Sequence, residues 1–132
     1  MATLGELMTR DVLAVAPEDT LGETATKMVD RGVGSVVVSD YGRIIGILTE
    51  RDMLRAMADR THPSQARVRE WMTTQPITAT ESTDAAEAAR IMLENNFRHL
   101  PVMEQGRAVG IVSIRDVAQW IAEQAAPKQA PP

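Results

Sequence analysis

The sequence contains no cysteine in its 132 residues. Disulfides, thiolate zinc sites and cysteine nucleophiles are therefore excluded, and the composition suits the reducing cytoplasm in which we expect the protein to work. Aromatic residues make up only 3% of the chain, too few for the stacking surfaces that bind single-stranded nucleic acid. The two histidines, His62 and His99, are far apart in sequence, so we expect no transition-metal site and no metal cofactor.

The sequence also lacks a cluster of positive charge. Its 14 lysine and arginine residues are scattered among 18 acidic residues, and the formal net charge is −4. A nonspecific nucleic-acid surface needs a basic stripe, so we expect no nucleic-acid partner. No apolar run approaches the roughly 20 residues that a membrane helix needs, so we expect no membrane partner. The hydrophobic content of 44% is that of an ordinary globular protein.

What the sequence does contain is an internal repeat with a period of 64 residues. Residues 46–52 (GILTERD) return without a gap as residues 110–116 (GIVSIRD), and residues 8–9 (MT) return as 72–73 (MT). A repeat of this regularity indicates two copies of one supersecondary unit, which stack to bury their apolar faces. We therefore predict a pseudo-twofold module with clefts where the two copies meet.

Each copy is predicted to contain a strand, a helix, two strands and a helix, in that order. In the first copy a capping box from Thr20 to Glu23 begins the first helix, and residues 40–43 form a hairpin turn. In the second copy Asp84 is the predicted cap of the corresponding helix. The predicted segments are extended stretches 12–17 and 77–79, strands 36–38, 44–48, 100–103 and 108–112, and apolar helix faces at Leu21, Ala25, Met28 and Val29 and at Ala85, Ala89, Met92 and Leu93.

A polar segment between the copies divides the chain. The predicted boundaries are 1–59 for the first repeat, 60–67 for the linker, 68–124 for the second repeat and 125–132 for a disordered, proline-rich tail. Short helical turns around residues 4–8 and 68–72 are predicted to precede the two copies.

The junction between the last strand and the last helix of each copy could carry chemistry. A helix N-terminus favours an anion at this point. Thr49 and Ser113 offer hydroxyls to a phosphate, and Asp52 and Asp116 offer carboxylates to a vicinal diol such as that of ribose. The alternative is that these residues only cap their helices, which contributes about 0.5–2 kcal/mol without any ligand.

Taken in order, the motifs resemble a tandem pair of CBS domains, also called a Bateman module. The resemblance is carried by residues 8–9 with Pro17, 46–52, 98–102 (RHLPV) and 110–116. It implies an α+β fold in which two β-α-β-β-α repeats pack through their sheets with pseudo-twofold symmetry. It also implies two ligand clefts, a homodimer, and an adenosine compound as the ligand: AMP, ADP, ATP, S-adenosylmethionine or sometimes NAD.

The resemblance also implies roles for particular residues. Asp52 and Asp116 resemble ribose-binding acids, Thr49 and Ser113 resemble phosphate-side hydroxyls, Val12-Leu13 and Pro76-Ile77 take the positions that hold the base, and Gly34-Ser35 and Arg98-His99 take the stretch that faces the ligand. The two copies differ here, because Arg98 and His99 offer cationic donors whereas the first copy offers no charge. We therefore expect unequal clefts, with nucleotide phosphates held near Arg98, His99, Arg51 and Arg115.

These features favour a binding module over an enzyme. The predicted function is that of a stand-alone regulatory CBS pair, which binds an adenosine nucleotide between its repeats and signals through its conformation or through a regulated partner protein. No other cofactor is expected. A third reading, a small enzyme acting on nucleotides through Ser113, His99 and Asp116, is disfavoured because helix capping already explains the first and last of these residues.

The alternative to a ligand sensor is a structural dimerisation module with empty clefts. The resemblance implies that the last helix of each copy forms the dimer face; the alternative is that its apolar side chains are buried within the monomer. The residues predicted on this face are Met53, Met57, Trp120 and Ile121.

Overall fold

The computed structural model describes residues 2–125, which form six helices and six strands. The first half contains α1 (Leu4–Leu7), β1 (Ala14–Val15), α2 (Leu21–Arg31), β2 (Ser35–Asp40), β3 (Arg43–Thr49) and α3 (Glu50–Ala58). The second half contains α4 (Val68–Trp71), β4 (Thr73–Thr74), α5 (Ala85–Asn95), β5 (His99–Glu104), β6 (Arg107–Ser113) and α6 (Ile114–Ala125). The predicted α+β fold with two repeats is confirmed. Residues 126–132 of the predicted tail lie outside the described residues.

The strands form one four-stranded sheet, in the order β1-β2-β3-β4, and one two-stranded sheet, β5-β6. Strand β1 is parallel to β2, and all other pairs are antiparallel. The hairpins β2-β3 and β5-β6 have the same register, because Val38 pairs with Gly46 and the equivalent Val102 pairs with Gly110. The extended stretch predicted at 77–79 makes only a single parallel bridge to β5.

Both hairpins close with a two-residue turn. The φ angles are 51° at Tyr41, 79° at Gly42, 52° at Gln105 and 77° at Gly106. Positive φ at both central residues defines a type I′ turn, whose twist matches that of the flanking strands. The hairpin turn predicted at 40–43 is therefore confirmed.

A short helix precedes each repeat, α1 before the first and α4 before the second, and we call it the leading turn. The leading turn of each repeat packs into the hydrophobic core of the other repeat. Leu4 and Met8, which precede the first repeat, are buried in a cluster with side chains of α5, β5, β6 and α6. Val68, which precedes the second repeat, is buried with side chains of α2, β2 and β3. The sequence predicted these turns as leaders of the repeat that follows, and the structure packs them against the opposite one.

Backbone hydrogen bonds also hold each leading turn against the opposite repeat. The N–H of Thr9 donates to the carbonyl of Ile111 at 2.9 Å, and the reverse bond is 3.0 Å. The equivalent residue Thr73 pairs with Ile47 in β3. Two glycines make room for these contacts: a Cβ on Gly46 would lie 2.8 Å from the Thr73 carbonyl oxygen, and the equivalent atom on Gly110 would overlap Met8. The repeated glycine is therefore required for contact between the repeats.

The first helices of the two repeats begin differently. In α2 the Thr20 hydroxyl accepts a hydrogen bond from the Glu23 N–H at 3.1 Å, and the predicted capping box is complete. In α5 the Asp84 side chain makes no capping hydrogen bond, and Glu87 instead forms an ion pair with Arg90. Asp84 is therefore the N-cap residue of α5, as predicted, but its side chain does not contribute the capping hydrogen bond that Thr20 makes in α2.

The buried faces of α2 and α5 are narrower than predicted. Leu21, Thr24 and Met28 are buried in α2, and Ala85, Ala88 and Met92 are buried in α5. Val29 and Leu93, which were predicted on these faces, are 78% and 72% exposed. Each lies one residue past the stripe that contacts the sheet, so it sits on the flank of its helix. None of the helices within residues 2–125 is long and apolar enough to cross a membrane.

The packing of each leading turn on the opposite repeat predicts how a substitution there changes stability. Leu4→Ala should lower the free energy of unfolding by about 2–4 kcal/mol, because Leu4 is fully buried and its removal leaves a cavity. Urea denaturation measures the loss. Hydrogen exchange should locate the loss of protection in α5, β5 and β6 rather than in β1 and α2. A loss of protection confined to the first repeat would contradict this packing.

Candidate ligand-binding site

A cavity of about 840 Å³ lies between the two repeats. Its volume is within the range of about 300–1,000 Å³ that small-molecule sites occupy. The lining residues come from both halves of the chain: Thr9, Asp11, Val12, Leu13, Ala25, Met28, Val29, Gly32, Val33, Gly34, Ser35, Glu50, Met53, Arg98, His99, Ile111, Ser113, Ile114, Arg115, Asp116 and Gln119.

The cavity brings together most of the residues that the sequence singled out. Those that line it are Val12, Leu13, Gly34, Ser35, Arg98, His99, Ser113, Arg115 and Asp116. Thr49, Arg51, Asp52, Pro76 and Ile77 are not among its lining residues. Nine of the fourteen predicted residues therefore line this cavity, and the other five do not.

Ser113 and Asp116 cap helix α6 and leave one carboxylate oxygen available. The N–H of Ser113 donates to Asp116 Oδ2 at 2.8 Å, and the N–H of Asp116 donates to Ser113 Oγ at 3.0 Å. The capping reading is therefore confirmed for this pair. Among the described residues, none donates to Asp116 Oδ1. A carboxylate held by its own helix, with one oxygen free at a cavity wall, is suited to accept hydrogen bonds from hydroxyl groups.

Thr49 and Asp52 form the equivalent cap on α3, but this carboxylate is fully engaged. The N–H and the hydroxyl of Thr49 donate to Asp52 Oδ2 at 2.9 and 3.1 Å. Arg55 Nη1 donates to Asp52 Oδ1 at 2.8 Å. Asp52 is only 4% exposed. The capping reading is confirmed here too, and both carboxylate oxygens already have partners.

The predicted phosphate-binding cations are also divided. Arg98 and Arg115 are exposed at the cavity wall. Arg51 does not line the cavity. Its Nη1 donates to the carbonyl of Asn96 at 2.9 Å. Asn96 has left-handed backbone and ends α5, so the guanidinium sits at the negative end of that helix.

His99 is half-buried and lines the cavity. Burial lowers the pKa of its imidazole; Glu50 and Asp116 oppose this shift, and Arg98 adds to it. The lowered pKa favours the neutral form of the ring in the unliganded protein, and the role of His99 at the phosphates of a ligand stays a prediction.

Because Gly34 has no side chain, Glu50 and His99 can both lie close to its backbone. A Cβ there would lie 3.1 Å from Glu50 Oε1 and 3.3 Å from His99 Nε2. Glu50 was not predicted as a site residue, although the sequence shows that it differs from Ile114 at the equivalent position of the second copy. Glu50 places a carboxylate beside the imidazole.

A family model for the CBS domain matches the chain twice, over residues 4–59 and 68–123. The chain belongs to the CBS domain family. An uncharacterised 17.7 kDa protein from Acidianus ambivalens is 42% identical over 122 residues, which cover 90% of this chain and 73% of that protein.

Solved structures of CBS proteins have the same fold. The CBS-domain containing protein ATU1752 from Agrobacterium tumefaciens is similar with a TM-score of 0.85 and 34% identity, covering 91% of this chain and 99% of that one. CBSX2 in complex with AMP is similar with a TM-score of 0.78 and 25% identity, covering 96% and 100%. The CBS domain pair of MJ0100, in complex with methylthioadenosine and S-adenosyl-L-methionine, has a TM-score of 0.86 at 23% identity, covering 94% and 98%.

The lowered pKa of His99 predicts how stability depends on pH. The unfolded chain takes up a proton on His99 near pH 6.5, whereas the folded protein does so only at lower pH. The free energy of unfolding should therefore fall as the pH drops from about 7.5 to 5.5.

Urea denaturation across this range should show a smaller fall in the free energy of unfolding for His99→Gln than for the unmodified protein. His62→Gln, at an exposed position, is the matched control and should behave as the unmodified protein. Equal slopes for His99→Gln and the unmodified protein would contradict the assignment.

Proposed function

We propose that the protein is a regulatory module that binds an adenosine compound in the cavity between its repeats. The observation that carries the proposal is the free oxygen of Asp116 at the wall of that cavity. A ribose offers two neighbouring hydroxyl groups, and a carboxylate with a free oxygen accepts hydrogen bonds from them. The same arrangement supports binding rather than catalysis, because the Ser113 hydroxyl accepts the cap hydrogen bond of its helix.

The remaining walls suit the other parts of such a ligand. Val12, Leu13 and Ile111 offer an apolar surface to a purine base. Arg98 and Arg115 offer guanidinium groups to a phosphate. The AMP bound to CBSX2 supports an adenosine nucleotide as the ligand class, and AMP, ADP, ATP and S-adenosylmethionine remain the candidates.

Regulation follows from the position of the cavity. Its lining comes from both repeats, so a ligand that contacts both walls favours one arrangement of the repeats over another. A ligand shifts such an equilibrium by the difference between its affinities for the two arrangements. The proposed output is a change of conformation or of affinity for a regulated partner protein.

Asp116→Asn should test the proposed ribose contact. The expected result in calorimetric titrations with AMP, ATP and S-adenosylmethionine is that affinity for the bound compound falls about tenfold to a hundredfold, because hydrogen bonds to a charged group contribute about 1.5–3 kcal/mol.

Asp52→Asn is the matched control for this test. It changes the equivalent cap, whose carboxylate is already engaged, and should leave the affinity within about twofold of the unmodified protein. Unmodified protein that binds none of the three compounds would rule out the proposed function. Equal losses in the two variants would rule out the role of Asp116.

Dimerisation is the second candidate function, and exposed apolar side chains on the last helices favour it. Leu54 and Met57 of α3 are 66% and 74% exposed, and Ile121 of α6 is 53% exposed. Met57 and Ile121 are equivalent positions of the two repeats. Exposed apolar side chains that recur on equivalent helices favour an interface between proteins, and we propose that α3 and α6 pair two copies of the chain. Met53 and Trp120, also predicted on this face, are half-buried.

The double variant Met57→Glu with Ile121→Glu should dissociate the proposed dimer, since it places charge in an apolar interface. Sedimentation velocity at about 50 μM should give a dimer for the unmodified protein and a monomer for the variant. Tyr41→Glu, at a 99% exposed position on a hairpin turn, is the control and should remain dimeric. A monomeric unmodified protein would rule out this interface.

A further inference from the structure

Asp52 and Asp116 are equivalent in the repeat, but their carboxylates have different surroundings. Both accept a hydrogen bond from the backbone N–H three residues earlier, at 2.9 and 2.8 Å. Asp52 is buried and accepts a further hydrogen bond from Arg55. Asp116 is half-buried and lines the cavity. The residue one turn later in the helix also differs, being Arg55 in α3 and Gln119 in α6.

Arg55 is held in place from two sides. Its guanidinium forms an ion pair with Asp52 at 2.8 Å and lies over the ring of Trp71, 5.8 Å from the ring centre. Neither residue recurs at the position 64 residues away. Gln119 stands at the position equivalent to Arg55, and Leu7 stands at the position equivalent to Trp71.

Gln119 leaves the equivalent carboxylate open. Its amide donates to Glu123 one turn further along α6, at 3.3 Å, rather than back to Asp116. Gln119 itself lines the cavity. The side chain that would cover Asp116, by analogy with Arg55, is therefore directed along its own helix.

We propose that Arg55 closes the Asp52 position to a nucleoside, so that each chain binds one adenosine compound, at Asp116 alone. The guanidinium takes the carboxylate oxygen that the hydroxyl groups of a ribose would need. Gln119 is the corresponding determinant that keeps the Asp116 position open. This inference rests on the proposed function, and it adds which of two equivalent acids is used and which residues decide it.

A reciprocal exchange of the two residues tests the inference. The probe is adenosine, which carries the base and the diol shared by the candidate ligands, and ¹⁵N-resolved NMR titration reports each position through its own amides. In the unmodified protein, the amides of residues 113–116 should shift with adenosine, and those of residues 49–52 should not. The compound 2′,3′-dideoxyadenosine, which lacks the diol, should bind at least tenfold more weakly.

Arg55→Gln should open the closed position, so that the amides of residues 49–52 also shift and the number of bound adenosines per chain rises from one to two. Gln119→Arg should close the open position and weaken binding at residues 113–116 by tenfold or more. Both residues are on exposed faces of their helices, and circular dichroism checks that the variants remain folded.

The outcomes separate this inference from the proposed function. Two adenosines bound by the unmodified protein would overturn the inference and leave adenosine binding intact. One adenosine bound by Arg55→Gln, still at residues 113–116, would overturn the role of Arg55. Absence of adenosine binding by the unmodified protein and by both variants would overturn the proposed function and the inference together.

Discussion

The exchange of leading turns between the repeats is the constraint on which the rest of the structure depends. Leu4 and Val68 each lie in the core of the opposite repeat, so neither half has a complete core without the other. The backbone pairs at Thr9 and Thr73 lock the two halves together. The cavity is a consequence of this packing, because the segment that crosses between repeats continues directly into its wall at Val12.

The hairpins of the two repeats share a register, but the side chains around the two acids differ. Both repeats place a hydroxyl residue and an aspartate at the start of their last helix, with nearly equal hydrogen-bond lengths. The side chains around them separate the two positions: an arginine covers one carboxylate, and the other faces a cavity. The two-repeat fold thus carries one open position and one that is already occupied by the protein itself. This asymmetry is the basis of the function that we propose.

Much of the fold was predictable because short sequence patterns determine most of the helices, strands and turns of each repeat. Turn residues, the Thr20 capping box and the β-branched strands act over a few residues, and they were placed correctly. The exchange of the leading turns was not predictable, because a short apolar turn packs equally well, as far as its sequence shows, on either repeat. The role of Gly46 became clear only when the chain that approaches it was located.

The candidate site was predictable in part, for a similar reason. The repeated motif identified Asp116, but it identified Asp52 equally, and only three-dimensional contacts distinguish the two. The Arg55 side chain that covers Asp52 was visible in the sequence as a difference from Gln119, without any sign that it reaches back to the acid. The lowered pKa of His99 depends on burial, which a sequence motif does not report.

A crystal structure of the protein grown with AMP tests the central claim most directly. The account predicts one AMP per chain in the cavity between the repeats, with a ribose hydroxyl within about 3 Å of Asp116 Oδ1 and with the Arg55–Asp52 ion pair intact. AMP bound at Asp52 with Arg55 displaced, or AMP bound away from both acids, would contradict it.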